Sequence, residues 1–128
     1  MVTGNSNKTL RNISARIKTE LKEAILNYLH GLVHLWCKFK KTEPFHAYDL
    51  VGKNEDDDGN YFWNDTPLYP LYEFYEQNNS KDPVKQAGID LGWLLKEVIV
   101  KREKRTFEIS KDDDYLGKVM YKWIGNER

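Results

Sequence analysis

The residues best suited to metal chemistry in this 128-residue sequence lie at regular spacing in its first third. His30, His34 and Cys37 are four and three residues apart, so their side chains would align along one stripe of a helix. Imidazole and thiolate are ligands that Zn²⁺ prefers, and His46 is close enough in sequence to supply a fourth. The paired CxxC spacing of structural zinc sites is missing, however. We therefore predict no tightly bound transition metal and no cofactor.

Cys37, the single cysteine, is also the natural candidate for a nucleophile with a histidine as its base. It lies between Trp36 and Phe39 in an apolar helical pattern, where burial makes a thiol inert. The sequence contains no GxSxG elbow, Walker loop, GxGxxG fingerprint or Ser-His-Asp spacing. It predicts a protein that is not an enzyme and has no catalytic residues.

A basic cluster near the C-terminus has the charge that binding to nucleic-acid phosphates requires. It consists of Lys101, Arg102, Lys104 and Arg105. Three features oppose this interpretation: the preceding helix carries leucines where a recognition helix would carry polar residues, the tip of the following hairpin is acidic, and the pI is about 6.8. The cluster therefore supports nucleic-acid binding as an alternative function.

Aromatic residues are concentrated between positions 61 and 75, where seven occur within fifteen residues. Tyrosine and tryptophan combine a large contact area with a hydrogen-bonding group, so they suit pockets and protein interfaces. The candidates here are Tyr61, Trp63, Tyr69 and Tyr72. Most of this segment should enter the core, and a small-molecule pocket built from it is a second alternative function.

Charge is unevenly distributed although the net charge is zero. By count of Lys and Arg against Asp and Glu, residues 1–42 carry +6, residues 43–80 carry −8 and residues 81–128 carry +2. Such polarity can steer a charged partner or bring a basic region of one copy to an acidic region of another.

The elements that must position these residues begin with a long helix. Apolar residues recur at three- and four-residue steps from Ile13 to Phe39, which predicts a helix of about 25 residues, or roughly 38 Å. Pro44 prevents its continuation, and whether it is continuous through Gly31 stays open. A domain this small covers only part of so long a helix.

The rest of the chain predicts a short strand at Phe45–Val51, a helix with Pro67 in its first turn, a helix from Asp82-Pro83 and a β-hairpin over Arg105–Ile124. The fold class is therefore α+β in a winged-helix-like order: long N-terminal helix, short strand, two helices and C-terminal hairpin. We expect a flexible tail at residues 1–8 and a single α+β domain at 9–128.

Cellular location follows from cysteine content and hydropathy. One cysteine excludes an internal disulfide, no signal peptide is visible at the N-terminus, and no apolar stretch approaches the ~20 residues that a membrane span requires. We expect a cytoplasmic protein that does not cross a membrane.

Three segments carry a resemblance to a known group of proteins. They are Tyr61-Phe-Trp-Asn-Asp-Thr-Pro-Leu68, Ala87-Gly-Ile-Asp-Leu-Gly-Trp93 and Lys104-Arg-Thr-Phe-Glu108. Over residues 45–124 the chain resembles uncharacterised small bacterial proteins of mobile elements, such as those of integron gene cassettes. The resemblance implies a bacterial origin on a mobile element, and it implies no activity and no functional residues.

The leading interpretation is a non-enzymatic binding or interaction protein that self-associates as a homodimer. The predicted interface is the first helix, with Leu29 and Trp36 as its candidate residues, because its apolar positions spread beyond one narrow stripe. The alternatives remain a winged-helix-like nucleic-acid-binding regulator and a small-molecule-binding protein that uses residues 61–75.

Overall fold

The computed structural model describes residues 2–4, 18–52, 63, 65–112 and 118–127. Its elements, in chain order, are β1 (Val2–Gly4), α1 (Thr19–Lys40), α2 (Ala47–Val51), α3 (Tyr69–Gln77), α4 (Pro83–Glu97), a π-helical turn (Val98–Arg102), β2 (Arg105–Asp112) and β3 (Lys118–Glu127). The α+β class is confirmed, as is the order in which a long first helix precedes two later helices and a C-terminal hairpin.

Helix α1 is continuous through Gly31. A glycine inside a helix costs about 1 kcal/mol relative to alanine, an amount that packing of the buried side of α1 offsets. The helix ends at Lys40 because Lys41 adopts a positive φ of 56°, and Lys38 and Lys40 in the last turn face the negative end of the helix dipole. The predicted beginning of this helix before residue 18 lies outside the described residues.

The segment Phe45–Val51 differs from the predicted short strand. Only Phe45 pairs with the sheet, through two hydrogen bonds of 2.8 Å with the backbone of Tyr121, and Ala47–Val51 form α2. The reason lies in the local side chains, since the Asp49 carboxylate accepts the His46 backbone N–H at 2.9 Å and so satisfies a donor at the start of the helix. The alternating apolar pattern therefore continues as helix after a single bridge.

Helix α4 begins as the sequence predicts. The Asp82 carboxylate accepts the backbone N–H of Lys85 at 3.1 Å, and Pro83 occupies the first turn. After Glu97 the helix widens into the π-helical turn, which ends where Glu103 becomes extended. This turn sets the direction in which the chain leaves α4 towards β2.

Within the described residues the sheet has three strands, in the order β1-β2-β3. Strands β2 and β3 are antiparallel, with Phe107 opposite Trp123 and Ile109 opposite Tyr121, and they form the predicted hairpin. Strand β1 runs parallel to β2, with Val2 opposite Phe107. Within the segment 1–8, for which the sequence predicts a flexible tail, the structure thus places Val2–Gly4 in the sheet.

The buried hydrophobic residues form one cluster that helices and sheet both contribute to. Phe45 lies inside this cluster, with its ring centroid 5.5 Å from that of Trp36, 6.0 Å from Phe107 and 5.8 Å from Tyr121. These ring contacts tie α1 and the segment after it to the hairpin. None of the helices in the described ranges has the length and apolar content of a membrane span.

Burial raises the pKa of the Tyr121 phenol above its ordinary value. The neutral phenol is therefore favoured in the folded chain, and its contribution to stability is present below pH ~10 and is lost as the pH rises further. Between pH ~9 and pH ~11, we expect the free energy of unfolding to fall by about 1 kcal/mol more in the wild type than in Tyr121→Phe. Urea denaturation at both pH values measures this difference, and equal losses in the two proteins would contradict it.

Candidate functional site

Helix α1 has a buried side that anchors it to the core. Ile25, Leu26, Leu29, Val33 and Cys37 are each at most 1% exposed. Their spacing of one, three, four and four residues places them on one side of the helix. Beside them, the half-buried Tyr28, Leu32 and Trp36 also pack against the core.

A second apolar surface runs along the same helix and faces water. We call it the outward stripe, and it consists of Leu21, Ala24, Tyr28, Gly31, Leu35 and Phe39, all of them exposed except Tyr28, which is half-buried against the core. Its steps of three, four, three, four and four residues keep it on one side, in the spacing typical of paired helices. Leu21 is 40% exposed, Leu35 49% and Phe39 70%. A phenylalanine this exposed at the end of an apolar stripe is typical of a binding surface.

Two residues of the outward stripe have small side chains or none. Ala24 and Gly31 are both exposed, and a Cβ built on Gly31 would meet no atom within 4 Å. Small residues on a helix surface let the backbone of a second element approach closely. Large and small side chains therefore alternate along the stripe, and the glycine is open to an incoming partner.

The C-terminal end of α1 is basic, since Lys38, Lys40 and Lys41 are exposed there. Near the first turn the exposed Lys18 offsets Glu20, and Glu23 is paired with Arg102.

A buried carboxylate holds the middle of α1 against the chain after α4. Glu103 is 2% exposed, and its Oε1 accepts hydrogen bonds from the backbone N–H groups of Lys104 and Arg105, both at 3.0 Å, and from Arg105 Nη1 at 2.9 Å. Its Oε2 lies 3.3 Å from His30 Nε2, and Arg105 Nη2 lies 3.0 Å from His34 Nδ1. Glu103 and Arg105 thus fix two successive turns of α1.

Two ion pairs hold the N-terminal half of α1. Arg102 Nη2 donates to both carboxylate oxygens of Glu23 at 2.8 Å, and Lys22 Nζ lies 3.4 Å from Glu97 Oε1. With the Glu103 network, they join the helix to the chain around the end of α4 on the flank away from the outward stripe.

The candidate metal ligands have other partners. His30 faces Glu103, His34 faces Arg105, and Cys37 lies in the core. No group of three or more His, Cys, Asp or Glu side chains within the described ranges could hold a metal ion. Of these candidates, His30 and His34 belong to the contacts of α1 with residues 103–105, and Cys37 belongs to the core.

The four residues of the basic cluster differ in their contacts. Arg102 binds Glu23, and Arg105 binds Glu103 and stacks 5.5 Å from the centroid of the Trp123 ring. Lys101 and Lys104 are exposed. Two of the four cations thus join parts of the fold, and two remain on the surface.

The two predicted interface residues of α1 face the rest of the fold. Leu29 is 1% exposed in the core, and Trp36 is half-buried, with its Nε1 donating to the backbone oxygen of Glu43 at 2.8 Å. The exposed apolar residues of the C-terminal half are instead Leu35 and Phe39. The candidate interface is therefore still on α1, but on a different side of the helix from the predicted one.

The described aromatic residues of segment 61–75 are buried or half-buried. Trp63 is 1% exposed, and Tyr69 and Tyr72 are half-buried with their ring centroids 5.8 Å apart. Tyr61 lies outside the described residues. These positions support packing of α3 more than an open pocket.

Two buried carboxylates were not singled out from the sequence. Glu103 has no signal there, since it falls within a run of Lys and Arg. Asp90 is 1% exposed and accepts a hydrogen bond of 2.6 Å from the Tyr75 hydroxyl. Its position three residues after Ala87 and four before Leu94 places it on the apolar side of α4, and this spacing was the available signal.

We expect Tyr75→Phe to lower the free energy of unfolding by about 1.5 kcal/mol or more, because the hydrogen bond is short and its acceptor is a buried carboxylate. A double-mutant cycle with Asp90→Asn, followed by urea denaturation, measures the coupling. Additive effects of the two substitutions would show that the hydroxyl and the carboxylate are not coupled.

Comparisons with protein-family models, with curated proteins and with solved structures found no match to this chain.

Proposed function

We propose that this chain is a non-enzymatic interaction protein that self-associates as a homodimer through the outward stripe of α1. The observation that carries the proposal is the length of this apolar surface. It runs from Leu21 to Phe39 on a 22-residue helix, which is about 33 Å long. Removing apolar surface from water contributes roughly 25 cal/mol per Å², so a partner that covers the stripe gains along the whole helix.

The contacts that anchor α1 to the rest of the fold support this function. The stripe is held in place by the ion pairs of Glu23 and Lys22 and by the buried Glu103. A surface that is already ordered loses little conformational entropy when it binds, which favours association. A second copy is the simplest partner, because two-fold homodimers are the commonest oligomers and each copy brings an identical stripe.

Nucleic-acid binding is less well supported. The Arg102 and Arg105 side chains are engaged by the carboxylates of Glu23 and Glu103, and phosphate binding would have to compete with these contacts. Lys101 and Lys104 alone offer few phosphate contacts, which predicts weak binding.

Sedimentation equilibrium between micromolar and near-millimolar concentration tests the proposal. We expect the mass to rise from 15.2 kDa towards twice this value as the concentration increases. A mass of 15.2 kDa throughout would contradict self-association. Fluorescence anisotropy with a labelled DNA duplex at low salt tests the alternative, since the electrostatic part of such binding is strongest there.

A further inference from the structure

We draw no further inference here: the strongest candidate, the basic surface patch that Lys38, Lys40 and Lys41 form around the exposed Phe39 at the C-terminal end of α1, carries none because nothing in the part of the chain that the structure describes shows what covers it.

Discussion

Replacing Leu35 and Phe39 together by glutamate is expected to convert the dimer into a folded monomer. The two side chains are 49% and 70% exposed in the single chain, so the change costs the monomer little. In the dimer the two substitutions would place four carboxylates in an apolar contact, and each unpaired charge there costs several kcal/mol. We expect the dissociation constant to rise by about 1000-fold or more, measured by light scattering.

A control variant separates a specific interface from nonspecific association of exposed apolar residues. Ile89 lies on a different helix, α4, and is 39% exposed. Ile89→Glu adds one carboxylate, half the charge of the double substitution, on a helix surface and should leave the dimer intact. A Leu35→Glu, Phe39→Glu chain that stays dimeric, with a wild-type circular dichroism spectrum, would place the interface elsewhere.

Glu103→Ala is expected to cause a large loss of stability, about 3 kcal/mol or more in the free energy of unfolding. The substitution leaves the Arg105 guanidinium, on a side chain that is only 13% exposed, without its carboxylate, and it removes the acceptor of two backbone N–H groups. Breaking a buried ion pair on one side typically costs 3–5 kcal/mol. Against a total stability of about 5–15 kcal/mol for a small domain, such a loss is readily measured by urea denaturation.

The comparison variants for Glu103 assign the loss to its network. Glu103→Gln keeps an oxygen that can accept the two backbone N–H groups and should cost less than Glu103→Ala. Glu108 is exposed on β2, and Glu108→Ala should change the free energy of unfolding by no more than about 0.5 kcal/mol. Equal effects of the Glu103 and Glu108 substitutions would contradict the structural role of the buried carboxylate.

The elements that sequence predicts well are those with strong local determinants. The apolar periodicity of α1, the Asp82-Pro83 start of α4 and the alternation in β2 and β3 each specify their element from neighbouring residues. Helix α2 was missed because one hydrogen bond, from the His46 N–H to Asp49, turns an alternating segment into a helix. Periodicity does not register a contact of this kind.

The candidate site was predicted at the level of the element and not of the residue. Apolar spacing shows that α1 has more apolar residues than its buried side can hold. It does not distinguish the buried Leu29 from the exposed Leu35. That difference depends on which side of α1 the rest of the fold covers. Likewise, the partner of Arg102 is Glu23, 79 residues away, so the sequence could not show that this cation is engaged within the fold.

The central claim is that a second copy covers the outward stripe of α1, and a dilution series of ¹⁵N-labelled protein followed by NMR tests it most directly. Backbone amide shifts report the surroundings of each residue as the dimer dissociates. We expect the shifts that change with concentration to fall on α1 around Leu21, Gly31, Leu35 and Phe39, with those around Ile89 unchanged. Shifts that stay constant along α1, or that change only around Lys101 and Lys104, would contradict the claim.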